Sequence, residues 1–384
     1  MRIAKSLIII GLGLILATGL AFAGDKKLKA GFIYVGPVGD YGWSHAHDVG
    51  RKYAEQQLQW LETVYIESVA EADSSRIIDR FVQGEKVDVV FTTSFGYMED
   101  TLKAGMMYPD KKFMHCSGFR QSKNVGTYFA DLYQTYYLNG LMAGALTKTN
   151  KIGYVAAFPI PELVRHIDAF ALGIKAANPK AEVHVKWIYA WYGPDKAREA
   201  SEALIAEGCD TLAFTEDTPA VIEVGQEHTE KGKQIYTFSH YSPMLPYGKD
   251  SVVSGQLVDW GVMYVKILKD IYNGTWKNQD EWWLADKKAA ILGGTFGSII
   301  NPKFVNDLKA VKIDTPDLGK LSAYDLVVKR YEQMKKGVDV FDPFTGPIKD
   351  NTGKLQIEGG QRASKGDLLS IMYYVDNVVG SLPR

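Results

Sequence analysis

Residues 151–188 read KIGYVAAFPIPELVRHIDAFALGIKAANPKAEVHVKWI. An apolar β run over 151–156 is followed by a helix expected over 161–177 and a second strand over 183–188. Strands and helices alternating at this spacing predict parallel strands with helices on both faces of a sheet. The alternation continues downstream. A helix over 195–207 starts just after Pro194, a residue suited to a first helical turn. Next come a strand over 211–215, a helix over 219–231, strands over 234–238 and 251–258, and a helix over 262–272.

The same grammar runs upstream. Strands are expected over 29–35, 63–68, 87–93, 112–116 and 124–130, and helices over 44–57, 74–82 and 97–107. Asp73 is the expected cap of the second of these helices. A helix over 132–147 is dense in Leu, Gly, Met and Ala, which predicts burial on most of its sides. Two such sets in succession predict an α/β protein of two doubly wound parallel-sheet lobes. The chain is less regular from about residue 301, and 342–353, rich in Pro, Gly and Asp, reads as an exposed loop or hairpin.

The N-terminus assigns a compartment. Arg2 and Lys5 precede an apolar run from Leu7 to Leu20, which ends in Ala21-Phe22-Ala23, a small-x-small cleavage pattern. A signal peptide over 1–23, cut after Ala23, is therefore expected. The alternative, a membrane anchor, has only 17 residues from Leu7 to Ala23, three of them glycine, at the short limit for a span. No cysteine stands at the cut, so no acylated N-terminus is encoded, and the expected localisation is the periplasm. The formal charge is −1, and loss of Arg2 and Lys5 leaves 42 cations against 45 acids, or −3. That balance argues against a nucleic-acid groove. Cys116 and Cys209 lie in apolar strands and are expected as free thiols.

Ligands of open parallel sheets bind beyond the carboxyl ends of the strands. Asp40 and Trp43 follow the first strand, Phe95 and Tyr97 the third, and Asp131 the strand ending at Ala130. In the second set, Trp191, Asp217, Tyr241 and Asp259 follow successive strands. This inventory of rings and acids suits a neutral heterocycle, a nucleoside or a sugar, since rings stack on flat ligands and carboxylates accept hydrogen bonds. It suits phosphate poorly. Asp217 and Asp259 could equally cap the helices that follow them. Trp43 and Trp191 could equally be packing, and Trp282-Trp283 could pack or reach the cleft. His45 and His47 lack a third ligand, so no metal is expected, and no cofactor fingerprint occurs. Nucleophile-elbow and zinc-hydrolase motifs are lacking, which argues against an enzyme.

Residues 29–43 (KAGFIYVGPVGDYGW), 90–97 (VFTTSFGY), 137–144 (YLNGLMAG), 203–210 (ALIAEGCD) and 346–353 (GPIKDNTG) resemble, in order, the basic membrane protein family. These are substrate-binding proteins of ABC importers, including the purine nucleoside receptor type. The resemblance implies a type I periplasmic binding protein fold, with two lobes joined by three crossovers at a hinge. It implies lobe one over 28–148 plus 259–298 and lobe two over 149–258 plus 299–384. It further implies a monomer that presents a small-molecule ligand to an ABC permease. Trp43 stands at the family's first-loop aromatic position, with Ser44 where nucleoside receptors often carry Asn. The segment 237–241 (TFSHY) lacks the Asp common there in relatives. Both departures shift the expected ligand from nucleoside towards a purine base, adenine-like. A sugar or other small heterocyclic metabolite is the alternative, and an exported nucleoside-processing enzyme the second.

Overall fold

The computed structural model describes residues 27–383, so the expected signal peptide and its cut lie outside the described residues. The chain begins β1 (Leu28–Ile33), α1 (Trp43–Gln57), β2 (Leu61–Ile66), α2 (Ser74–Asp79), β3 (Val89–Thr92), α3 (Met98–Met107), β4 (Lys112–Cys116) and β5 (Val125–Ala130). There follow α4 (Tyr133–Leu146), β6 (Lys151–Ala156), α5 (Pro161–Ala177), β7 (Glu182–Trp187), α6 (Pro194–Ala206), β8 (Thr211–Thr215), α7 (Ala220–Glu230), β9 (Tyr236–Tyr241) and β10 (Val252–Val258). Then come α8 (Trp260–Asn273), β11 (Asp280–Trp283) and β12 (Ala290–Leu292). The remainder holds α9 (Val305–Ala310), a hairpin of β13 (Lys312–Thr315) and β14 (Gly319–Ser322), and α10 (Ala323–Met334). It closes with a second hairpin of β15 (Ile348–Lys349) and β16 (Leu355–Ile357), then α11 (Lys365–Leu369) and β17 (Val378–Val379).

Two sheets result. The first has the order β11-β5-β4-β3-β1-β2 and the second β12-β10-β9-β8-β6-β7-β17. All neighbours are parallel except β12, which runs antiparallel to β10. The expected α/β fold of two doubly wound lobes is what forms.

The lobe boundaries differ from those expected in two places. Helix α4 packs on the second sheet, not the first. Tyr136 donates its hydroxyl to the Phe214 carbonyl (2.7 Å), and Asn139 bonds Gln256 (2.5 Å). The chain therefore crosses at Asp131 rather than near residue 148. Its density of apolar residues predicts the burial of α4 but does not say against which sheet. Likewise β12, expected in lobe one, pairs with β10 in the second sheet, so the last crossover falls between Trp283 and Ala290. The middle crossover is at Asp259, between β10 and the lobe-one helix α8.

Gly140 and Gly173 let α4 and α5 touch backbone to backbone. A Cβ on Gly140 would stand 2.1 Å from the Phe170 carbonyl oxygen, and one on Gly173 2.0 Å from that of Tyr137. Asp73 does not cap α2: it ends a short 3₁₀ turn and makes no side-chain cap bond. The predicted loop or hairpin at 342–353 contributes β15 to a hairpin. Cys116 and Cys209 are buried and free.

Candidate ligand site between the lobes

Lobe one presents its wall from the loops after β1, β3 and β4. Asp40 builds the first of these. Its carboxylate accepts from the backbone N–H groups of Gly42 (2.8 Å), Ser44 (3.1 Å) and His45 (2.9 Å), so it serves α1 as a cap. Ser44 turns back, its hydroxyl accepting from the Gly36 N–H at 3.0 Å. Together they fix Trp43 at the start of α1. The indole N–H donates to the Thr93 carbonyl, and the ring meets His47 and Trp260 edge-on at 4.5 and 5.3 Å between centroids. This indole is thus held on several sides before any ligand arrives.

Lobe two supplies Glu162 from the first turn of α5, Trp191 from the loop after β7, Asp217 after β8 and Tyr241 at the end of β9. Trp191 is half-buried and packs on Phe158 at 5.0 Å, while its carbonyl accepts from the Asp217 N–H at 2.8 Å. The lobes are in contact. A Cβ on Gly42 would lie 2.6 Å from the Asp217 Cα, the Ser117 hydroxyl donates to Glu162, and Trp43 meets Tyr241 at 5.1 Å. This is a closed form. Between the lobes lies a cavity lined by Val35, Trp43, Ser94, Phe95 and Ser117 of lobe one and by Glu162, Trp191, Asp217 and Tyr241 of lobe two.

The acids here are under-compensated. Asp217 is buried, and one of its oxygens has no partner among the described residues. Burial pushes its carboxyl well above the ordinary range, and the charges of Asp40 and Glu162 add to the effect. Glu216 next to it is raised in the same way. Burial also raises Asp40, against the pull of its three N–H donors. Glu162 is pushed up to about 7 by burial, although Ser117 and Arg165 act to lower it.

Of the residues expected from sequence, Trp43, Phe95, Trp191, Asp217 and Tyr241 share this cavity. Asp40 and Ser44 stand one layer behind and shape the loop. Three others lie elsewhere. Tyr97 is a core residue, its hydroxyl bonded to the Val69 carbonyl at 2.6 Å. Asp259 caps α8, accepting from Gly261 N–H at 2.9 Å. Asp131 joins a buried ion cluster, with Arg165 Nε at 2.8 Å and His166 Nε2 at 3.1 Å. Of the two acids for which capping was the alternative, Asp259 caps its helix and Asp217 lines the cavity.

Ser117 and Glu162 are site residues that the sequence reading passes over. Ser117 directly follows β4, and Glu162 lies in the first turn of α5 just beyond β6, so both carry the same strand-end signal as Trp43 and Asp217. Trp282 settles between packing and access. It bonds Asp131 at 3.1 Å and lines a second cavity beside the first. Among the described residues no group of three or more His, Cys, Asp or Glu could hold a metal ion, and no helix is long and apolar enough to cross a membrane.

Residues 27–313 match the family model described as ABC transporter substrate-binding protein, PnrA-like. A purine-binding protein of Brucella abortus is 34% identical over 369 residues, spanning 95% of this chain and 97% of its own. A putative ABC transporter glucose-binding protein of Haloferax volcanii is 40% identical over 258 residues, 67% of this chain and 64% of its own. Among solved structures, an ABC solute-binding protein from Aeropyrum pernix superposes with a TM-score of 0.67 at 16% identity, covering 84% of this chain and 93% of its own.

Proposed function

The chain belongs to the PnrA-like family of ABC transporter substrate-binding proteins, and from that premise we propose that it captures a purine base or nucleoside, adenine-like, in the interlobe cavity. The observation that carries this reading is the pairing of two tryptophans from opposite lobes with a buried carboxyl, Asp217, one oxygen of which has no partner among the described residues. A flat ring between Trp43 and Trp191 is favoured by stacking, worth about 1–3 kcal/mol per ring. Carboxyls along its edge accept from an amino group or ring N–H. The Brucella abortus relative, which the chain spans almost end to end, is a purine-binding protein and adds support.

The mechanism is closure about the three crossovers. The open form admits ligand. Contacts made by both lobes at once favour the closed form, and the shift is no larger than the ligand's differential affinity for that form. The closed monomer then docks on an ABC permease, outside the cytoplasm, after removal of residues 1–23. Nothing in this cycle requires the protein to do chemistry on the ligand.

Calorimetry with adenine, adenosine and glucose tests the assignment. Heat with adenine is expected. Heat with glucose and none with any purine would overturn it, and the glucose-binding name of the Haloferax volcanii relative makes that the sharpest rival. Trp191→Ala, a change on a half-buried loop, is expected to weaken adenine binding at least tenfold, as is Trp43→Ala.

A further inference from the structure

A second cavity lies beside the ligand cavity, and Phe95, Ser117 and Glu162 line both. Its far walls come from the loop after β4 (Phe119), from β11 (Trp282) and from α11 (Leu369). Helix α11 lies beyond residue 313, where the match to the family model ends.

The chemistry of this chamber is set by which of its polar groups are already engaged. Arg165 is paired with Asp131 and donates to the Leu368 carbonyl at 2.6 Å. Lys365 is paired with Asp280 and stands over the Trp282 ring at 4.9 Å. Glu162 accepts from Ser117. No cation is left over to bind phosphate or carboxylate. What remains to meet a ligand is ring and alkyl surface: Phe95, Phe119, Phe129, Trp282 and Leu369. Burial of such surface against an apolar group is favourable at roughly 25 cal/mol per Å², whereas a polyhydroxylated group would lose water and gain few partners beyond the Glu162 carboxyl.

We infer that the ligand is a purine carrying a flat, apolar substituent, with its ring between the two tryptophans and the substituent in the second chamber. This rests on the purine reading above and names a narrower class within it. Because the second cavity flanks the first only along the side formed by Phe95, Ser117 and Glu162, one edge of the ring is expected to bear the substituent.

Calorimetry on the full exported chain with adenine, N6-benzyladenine, 9-benzyladenine and adenosine tests this. One benzyl isomer is expected to bind at least tenfold more tightly than adenine, and the other no better than adenine. Phe119→Ala trims an exposed side chain (56% exposed) and Leu369→Trp fills the chamber. Each is expected to remove most of the gain and to leave adenine within twofold. Adenine binding with no gain for either isomer would overturn this inference alone. So would a gain that survives both variants, or a tenfold gain for adenosine and for neither isomer. No heat from any of the four compounds would overturn the purine reading as well.

Discussion

Two groups of buried acids sit at the lobe junction, and they are treated in opposite ways. Asp131 is surrounded by donors: Arg165, His166, the Trp282 indole N–H at 3.1 Å and the Tyr133 N–H at 3.2 Å. Burial alone would raise its carboxyl, but Arg165 and His166 hold it below the ordinary value. Asp217 is equally buried and faces no cation, and its carboxyl is pushed well up. A fully compensated acid has nothing left to offer a ligand. An uncompensated one carries a desolvation cost that a ligand donor can relieve. The contrast therefore separates an acid that joins the lobes from one that waits in the cleft.

Removal of the two carboxylates should have opposite consequences, and this is the largest effect expected. Asp131→Ala removes the carboxylate paired with buried Arg165, and breaking a buried pair typically costs about 3–5 kcal/mol. Urea denaturation of the ligand-free protein should show a loss of that order. Replacing Asp131 and Arg165 together by apolar residues should restore most of it. Asp217→Asn removes a strained acid and should leave stability unchanged or higher. Equal losses in both single variants would dissolve the distinction.

Proton binding sharpens the comparison further. Glu162 titrates near 7 in the closed form, against about 4.5 when solvated. Its protonated, closed state is thus fully favoured below about pH 4.5. That contribution is lost as pH rises through about 7, because the raised group must give up its proton. The span corresponds to about 3 kcal/mol at one pKa unit per 1.36 kcal/mol. Asp217, Glu216 and Asp40 are raised by the same burial and push in the same direction. Ligand-free protein should become less stable between pH 5 and pH 8, and Glu162→Gln should flatten that slope. A slope identical in the variant would remove Glu162 from the account.

For binding, the expected effect is smaller. Asp217→Asn keeps the shape of the side chain but replaces one acceptor oxygen with an amide donor. Adenine affinity should fall about tenfold, near the 1.4 kcal/mol expected for loss of one good hydrogen bond. Asp131→Asn, where it folds, should change adenine affinity less, because no Asp131 atom lines the cavity.

Much of this was legible in the sequence and some was not, for physical reasons. The helix expected over 161–177 is α5 residue for residue, because Pro161 marks its first turn and strand-ending segments flank it. Strand-end position also found Trp43, Trp191 and Asp217, since a parallel sheet places those loops at its ligand edge. It could not rank the acids. Asp131, Asp217 and Asp259 all follow strands. What distinguishes them is partners remote in sequence: the Arg165 cation for Asp131, only the Trp43 backbone N–H for Asp217, and only the local N–H groups of α8 for Asp259. Nor could local pattern assign α4 to a lobe. An all-round apolar helix fits either sheet, and the deciding contacts are to Phe214 and Gln256.

The smallest effect belongs to the other charged contact between the lobes. Lys365 of α11 reaches across to Asp280 of β11 and covers the Trp282 ring. The arrangement looks like a strap, but its two charged side chains are 33% and 31% exposed. Water screens such a pair, which is worth about 0–1 kcal/mol, and a cation over an exposed ring adds only about 0.5–1 kcal/mol. Lys365→Ala should therefore cost no more than about 2 kcal/mol in urea denaturation, with the ion-pair part lost in high salt. A loss comparable to that of Asp131→Ala would mean that exposure, and not only pairing, fails to rank these contacts. The lobes would then be held as firmly at the rim of the cleft as in its floor.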